Sequence, residues 1–265
     1  MPMYDQTFDA AFKEQERNYL DGVVKRLAKI ASAPVTSVLA DGLIVDSILQ
    51  AIQRKSVDLV IMTTHGRGPL SRFWLGGVAD ELLRRCNVPI LLIRPTEDAI
   101  DWGQQPAWRH LLVPLDGSEL AEEILAPAMT LGGLMQAQYT LLRVVEPVSD
   151  RDFEAEVFEI NPADQSLLER RQQAAQVYLD GVADRLRGRA KRIHTKVVVS
   201  ENNAVAIHNA CQQFDADLIA IATHGRGGLK RLLLGSVADK VIRGTTTPVL
   251  VYRQSEPEAS PTASS

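Results

Sequence analysis

The chain is poor in cysteine. Its 265 residues include two, Cys86 and Cys211. Neither lies in a zinc-like spacing. Both fall at apolar positions of expected helices and read as buried, reduced thiols. Long hydrophobic runs are also missing, and no stretch is long enough to span a bilayer. The opening MPMYDQTFDAAFKEQ lacks an apolar segment and carries early acids, so it does not read as a signal peptide. A cytoplasmic protein without a membrane partner is expected. Positive charge is scarce: 29 Lys and Arg stand against 33 Asp and Glu, a net charge of -4. That argues against general nucleic-acid binding, which favours a basic domain. No Walker lysine motif and no metal-ligand cluster occurs.

What the chain does have is a repeat. Asp58 to Arg94, DLVIMTTHGRGPLSRFWLGGVADELLRRCNVPILLIR, returns at Asp217 to Arg253 as DLIAIATHGRGGLKRLLLGSVADKVIRGTTTPVLVYR. The offset is a constant 159, without a gap, and about half of the paired positions are identical. Such a repeat indicates two copies of one structural unit. An apolar fraction of 45% supports real cores, and the length suffices for two domains.

In chain order, Asp5 to Ile30 reads as an amphipathic helix with Phe8, Phe12, Tyr19, Val23, Leu27 and Ile30 on an inward stripe. Val35–Ala40 reads as a strand and Ile44–Arg54 as a helix. Asp58–Thr64 is nearly all apolar, as in a strand covered on both faces. A helix is expected from Gly77 to Arg85, and a strand at Pro89–Arg94. Residues 96–109 read as a linker, with Trp102 and Trp108 pinning it to a domain. The second copy opens with a buried strand, Leu111–Leu115, and a helix capped by Ser118 that runs to Met135. A strand at Tyr139–Val145 follows, then a helix over Ala163–Arg189 that matches the first helix of the chain. Strand His194–Ser200 and helix Val205–Phe214 lead into the repeated stretch. The tail, 254–265, is expected to be disordered. This alternation implies an α/β fold, with a parallel sheet between two helical layers. Ligands in such sheets sit at the carboxyl ends of strands where the strand order reverses.

The copies are unequal. Residues 1–95 contain nothing matching His110 to about Asn161, while 110–253 form a full unit. Either the first unit is a genuine fragment or the start lies upstream of Met1; the missing part includes what should be a central strand, which favours the upstream start. An in-frame upstream stretch resembling Leu111–Val145 would show it.

The repeated loop carries the chemistry. In His224-Gly225-Arg226-Gly227-Gly228 and Gly235-Ser236-Val237-Ala238-Asp239, glycine permits close approach of the backbone. A helix N-terminus offers free N–H groups and the positive end of its dipole to an anion. Ser236 is placed to cap that helix, with Asp239 completing a capping-box-like pattern. Arg226, Lys230 and Arg231 add positive charge. These features suit a phosphate; the alternative is a tight βα connection with a solvated basic loop. His65 and His224 recur beside the glycine turns. They read as loop-holding imidazoles, since no partner acid or nucleophile is fixed near them. Asp80 and Asp239 sit in the first turns of helices, where the dipole favours them.

These motifs resemble the universal stress protein family. Gly225, nine residues, then Gly235-Ser236 matches the family's glycine motif. Leu111-Leu112-Val113-Pro114-Leu115-Asp116-Gly117-Ser118 resembles its first strand and acidic residue. Arg143-Val144-Val145 resembles the end of its second strand, and Pro248–Val251 its closing strand. The resemblance implies a doubly wound parallel five-stranded sheet of order 3-2-1-4-5, of the adenine-nucleotide α-hydrolase-like kind. It would occur in two tandem copies, the first lacking its opening β-α-β. It further implies ATP as ligand, with magnesium accompanying the phosphates. Pro114, Asp116, Val144 and Ala222 would lie on the nucleoside side. His224, Gly225, Arg226, Gly235, Ser236 and Val237 would lie on the phosphate side. The chain departs from the family pattern where Ala222 and Thr63 replace a motif glycine and Gly77 replaces the motif serine. Any nucleotide is therefore expected in the second copy, with little or none in the first.

Three functions follow: a stress-response binding and signalling module that takes ATP, a slow ATP hydrolase, or an interaction protein with a vestigial site. The resemblance also implies pairing through the last strands, Pro89–Ile93 against Val249–Tyr252. This would form an intramolecular pseudo-dimer, with a homodimer as a further mode.

Overall fold

The computed structural model describes residues 6–64, 75–94, 108–147, 162–190, 192–223 and 234–253. They fall into two bodies. The first consists of helices α1 (Gln6–Leu27) and α2 (Ile44–Lys55) and the segment between them. There Lys13 pairs with Asp41 at 3.0 Å, and Ser47 Oγ donates to the Asp41 carbonyl at 3.1 Å. These contacts fix the approach to α2.

The first body corrects two expectations. Val35–Ala40 forms no strand. The inward stripe of α1 is not inward either: Phe12, Tyr19 and Ile30 are exposed, and Val23 and Leu27 are only half-buried. The matching helix of the second copy, α6 (Pro162–Leu186), supplies the reason. It buries Ala175, Leu179, Val182 and Leu186 against strands β4 (Gln138–Val145) and β5 (Ile193–Val199). Those positions correspond to Glu16, Leu20, Val23 and Leu27, of which only Val23 and Leu27 belong to the stripe read off the sequence. The sequence holds no counterpart of β4. An extended segment without a neighbour leaves its backbone donors and acceptors unpaired, so it gains little from being a strand.

The second body is built on one sheet of seven strands, ordered β1-β2-β7-β6-β3-β4-β5. Its remaining strands are β1 (Val60–Thr63), β2 (Ile90–Ile93), β3 (His110–Pro114), β6 (Leu218–Ala222) and β7 (Val249–Tyr252). The expected pairing of the last strands joins the two copies, and the parallel sheet expected for each is part of one mixed sheet. Every pairing is parallel except that of β2 with β7. Five strands come from the second copy, and in its own chain order they run 3-2-1-4-5. The first copy adds only β1 and β2.

The antiparallel seam has a local twofold relation. Leu91 faces Leu250, its own equivalent 159 positions on, while Ile90 faces Val251 and Leu92 faces Val249. Helices α3 (Gly77–Arg85) and α8 (Ser236–Gly244) repeat that relation. Arg94 donates to the carbonyls of Ile242 and Arg243 at the end of α8. Its equivalent Arg253 donates to the Arg84 carbonyl at the end of α3. Late helical carbonyls lack intrahelical donors and carry the negative end of the dipole, so a guanidinium suits both places.

The core lies under the second copy's strands. β6 is buried along its whole length, as a strand with neighbours and helices on both sides should be. Its equivalent β1 is not: burial alternates, and Ile61 is 59% exposed where Ala220 is fully buried. Covering on both faces was the wrong expectation for β1. Among the described residues its only neighbour is β2, whereas β6 lies between β3 and β7.

Candidate functional site

β3 is held from below. Asp217 accepts from the backbone N–H of Arg109 at 2.8 Å and of His110 at 3.1 Å, tying the starts of β3 and β6 together. His110 is buried and lies 2.8 Å from Thr140 Oγ1. Burial lowers its pKa, so the neutral ring is favoured.

At its carboxyl end β3 runs into Leu115-Asp116-Gly117-Ser118. Gly117 has φ +79°, a left-handed conformation that a side chain disfavours. Asp116 Oδ1 accepts from Ser118 N at 2.9 Å and from Ser118 Oγ at 2.5 Å. Ser118 Oγ in turn accepts from Ala121 N at 3.1 Å, capping α4 (Glu119–Glu122). The expected single helix is broken after α4 and resumes as α5 (Leu125–Leu134). The carboxylate of Asp116 is thus fixed by the cap that follows it. Arg143 donates to the Leu115 carbonyl at 3.2 Å and holds the loop from the β4 side.

The facing wall is the start of α8. Gly235 N donates to the Thr223 carbonyl at 2.6 Å, closing the turn after β6. Here the structure corrects the expected cap: Gly235 is the N-cap residue, Ser236 is the first helical residue, and no side chain caps the helix. Asp239 does not complete a capping box but pairs with Arg243 at 2.8 Å. The first-turn N–H groups have no side-chain cap to compete for them, and the Ser236 hydroxyl is exposed.

The third wall comes from Val144, Val145 and Glu146 at the end of β4, with Arg171 and Tyr178 of α6 and Asn203 of α7 (Asn203–Gln213). Tyr178 donates to Glu122 Oε1 at 2.9 Å. Burial, then this hydrogen bond, pushes the Tyr178 pKa up, so the phenol stays neutral. Asn203 Nδ2 donates to Glu146 Oε1 at 3.5 Å.

These walls enclose a cavity of about 1160 Å³ at the carboxyl ends of β3, β4 and β6. The chain runs from β3 out through β4 and β5 and returns to β6 on the other side of β3, so this is the reversal point of the sheet. Pro114, Asp116, Val144, Ala222, Gly235, Ser236 and Val237 all line the cavity. His224, Gly225 and Arg226 lie outside the described residues. Arg171, Tyr178, Glu146 and Asn203 were missed by sequence reasoning. They sit on helices far along the chain or just past a strand end, and no short motif contains them.

The first copy keeps the turn without the cavity walls. Gly76 N donates to the Thr64 carbonyl at 2.9 Å, and Gly76 is the N-cap of α3. A Cβ on Gly76 would meet that carbonyl at 3.2 Å, which explains the glycine. Nothing in the sequence corresponds to Asp116 or Val144 there.

The model of the universal stress protein family matches residues 2–94 and 107–253. This chain belongs to the universal stress protein family. Universal stress protein Rv2005c of Mycobacterium tuberculosis is 34% identical over 202 residues, 75% of this chain and 62% of that protein. Universal stress protein Rv2623 of the same species is 28% identical over 205 residues, 76% of this chain and 63% of its own length. The chain therefore spans a little over three-fifths of the length of these two relatives. Among solved structures, a universal stress protein from Archaeoglobus fulgidus aligns with a TM-score of 0.61 at 19% identity, covering 97% of this chain and 82% of that one. At that identity the likeness concerns the fold alone. No helix among the described residues is long and apolar enough to cross a membrane.

Proposed function

We propose that this universal stress protein binds an adenine nucleotide, ATP, in the cavity of the second copy and acts as a stress-response binding and signalling module. One observation carries the reading. Residues distant in sequence, Asp116, Val144 and Gly235-Ser236-Val237, meet on the walls of one cavity at the sheet's reversal point.

The chemistry fits a nucleotide. The start of α8, lacking a side-chain cap, offers backbone N–H donors and a dipole to a phosphate. The apolar end of β4, with Val144 and Val145, suits a base and leaves its edge to backbone and polar neighbours. Asp116 lies between these ends and suits a ribose hydroxyl, its carboxylate held in place by Ser118. The cavity is large enough for such a ligand. Magnesium fits less well. Among the described residues no group of three or more His, Cys, Asp or Glu is placed to hold a metal.

Thermal unfolding with and without ATP tests the reading. A ligand that binds only the folded state stabilises it by RT ln(1 + [L]/Kd). Millimolar ATP is expected to raise the midpoint of the wild-type chain, and Asp116→Ala to remove most of that rise. An unchanged wild-type midpoint at millimolar ATP would leave the cavity without a nucleotide role.

A further inference from the structure

Residues 185–196 concentrate positive charge. Arg185, Arg187, Arg189, Lys191, Arg192 and Lys196 fall within them and no acid does, in a chain of net charge -4. The equivalent residues of the first copy, 26–37, hold only Arg26 and Lys29. Arg185 pairs with Glu122 and Arg187 with Asp184. Arg192, directly before β5, and Lys196 within it are exposed and, among the described residues, paired with no acid.

These two cations stand at an open edge. Among the described residues the only neighbour of β5 is β4. The Arg192 carbonyl accepts from Tyr139 N, and Ser200 N donates to the Val145 carbonyl, so the even-numbered residues turn their backbone groups to β4. The N–H and C=O groups of Ile193, Thr195 and Val197 then point away from the sheet. The side chains alternate as well. Arg192, His194 and Lys196 are exposed, while Ile193 and Thr195 are half-buried on the side of α6, where Thr195 Oγ1 donates to Asp180 at 2.8 Å. A cavity of about 610 Å³ lies along Ile193–Thr195 and is lined by Asp180 and Asp184.

Unpaired backbone groups at a sheet edge accept a further strand, and charge decides which one. A second β5 would set cation against cation, which is unfavourable across strands. An extended segment with an acid at every second residue would set carboxylates against Arg192 and Lys196. Its other face would meet Asp180 and Asp184 and so must be free of acids. A nucleic acid would satisfy the charges and leave the backbone edge unpaired, and Arg192–Lys196 offers no Phe, Tyr or Trp for a base to stack on.

We propose that β5 is a docking edge for an acidic protein segment, which joins the sheet as an added strand with a carboxylate at every second residue. The edge begins at the amino end of β5, away from the cavity at the carboxyl ends of the strands, and the proposal is independent of the nucleotide reading.

Fluorescence anisotropy of a labelled decapeptide of alternating Glu and Thr, titrated with the full chain, tests this. The control is a block isomer of the same composition with all its Glu together. The alternating peptide is expected to bind about tenfold more tightly, because the block isomer turns some of its acids towards Asp180 and Asp184. Arg192→Glu combined with Lys196→Glu, both at exposed positions, is expected to reverse the preference, releasing the Glu–Thr peptide and taking up an alternating Lys–Thr peptide. N-methylation of the peptide at all Glu or at all Thr is expected to abolish binding in one of the two cases, since one set of N–H groups faces β5. Equal binding of the two isomers, or tolerance of both N-methylated peptides, would reduce the patch to a diffuse anion-attracting surface and overturn the proposal. So would the absence of binding at millimolar peptide. Tighter binding of single-stranded RNA at the same salt would assign the face to nucleic acid instead.

Discussion

Gly132 and Gly133 are neighbours in α5, yet a methyl group added to each meets different surroundings. At Gly132 it would lie 2.2 Å from the hydroxyl of Tyr139, a side chain 1% exposed and unable to move aside. At Gly133 it meets nothing within 4 Å. Alanine is the better helix former by about 1 kcal/mol. Gly133→Ala should therefore stabilise the protein by about 0.5–1 kcal/mol, and Gly132→Ala should destabilise it by about 1–3 kcal/mol through overpacking. Urea unfolding of both variants checks the opposite signs. Local chemistry of the Ser118 kind was legible in the sequence, because a serine directly before a helix and three residues from its N–H partner is a local pattern. The Ser236 cap was misread for a related reason. Gly235 and Ser236 are both acceptable cap residues, and the choice between them is made by the turn that Gly235 closes onto Thr223. Gly132 gave no signal at all, since its partner arrives from a strand.

β2 and β7 show how a repeat can become an interface. Each presents the same register to the other, and each is followed by an arginine that reaches the end of the other copy's helix. Arg94→Met should remove a charged donor from the Ile242 and Arg243 carbonyls and destabilise the fold by about 1.5–3 kcal/mol. Arg253→Met should act on the Arg84 carbonyl in the same direction, and chemical denaturation of the two single variants measures both. Equal stability of all three proteins would mean that the reciprocal contacts contribute nothing. The strands and helices of the second copy were readable because period, caps and neighbours agree there. The first copy misled at α1 and at Val35–Ala40. Their patterns were inherited from a unit in which β4 and β5 exist, and amphipathic periodicity reports the face a helix could bury rather than what is present to bury it against.

The molecule is asymmetric despite its repeat. Seven strands share one sheet, but only the five from the second copy contain a reversal of strand order, and the cavity lies at that reversal. The seam between the copies followed from the family resemblance, which implies pairing through the last strands. The polar wall of Arg171, Tyr178, Glu146 and Asn203 could not be inferred, because two helices and a strand end must pack before those residues meet. The first copy repeats the glycine turn of α8 at α3, and residues 1–94 hold no match to Asp116 or Val144. Calorimetric titration of ATP into the full chain tests this account most directly. It predicts a saturable isotherm with one ATP per chain, lost in Asp116→Ala. A stoichiometry of two, or no heat at millimolar nucleotide, would contradict it.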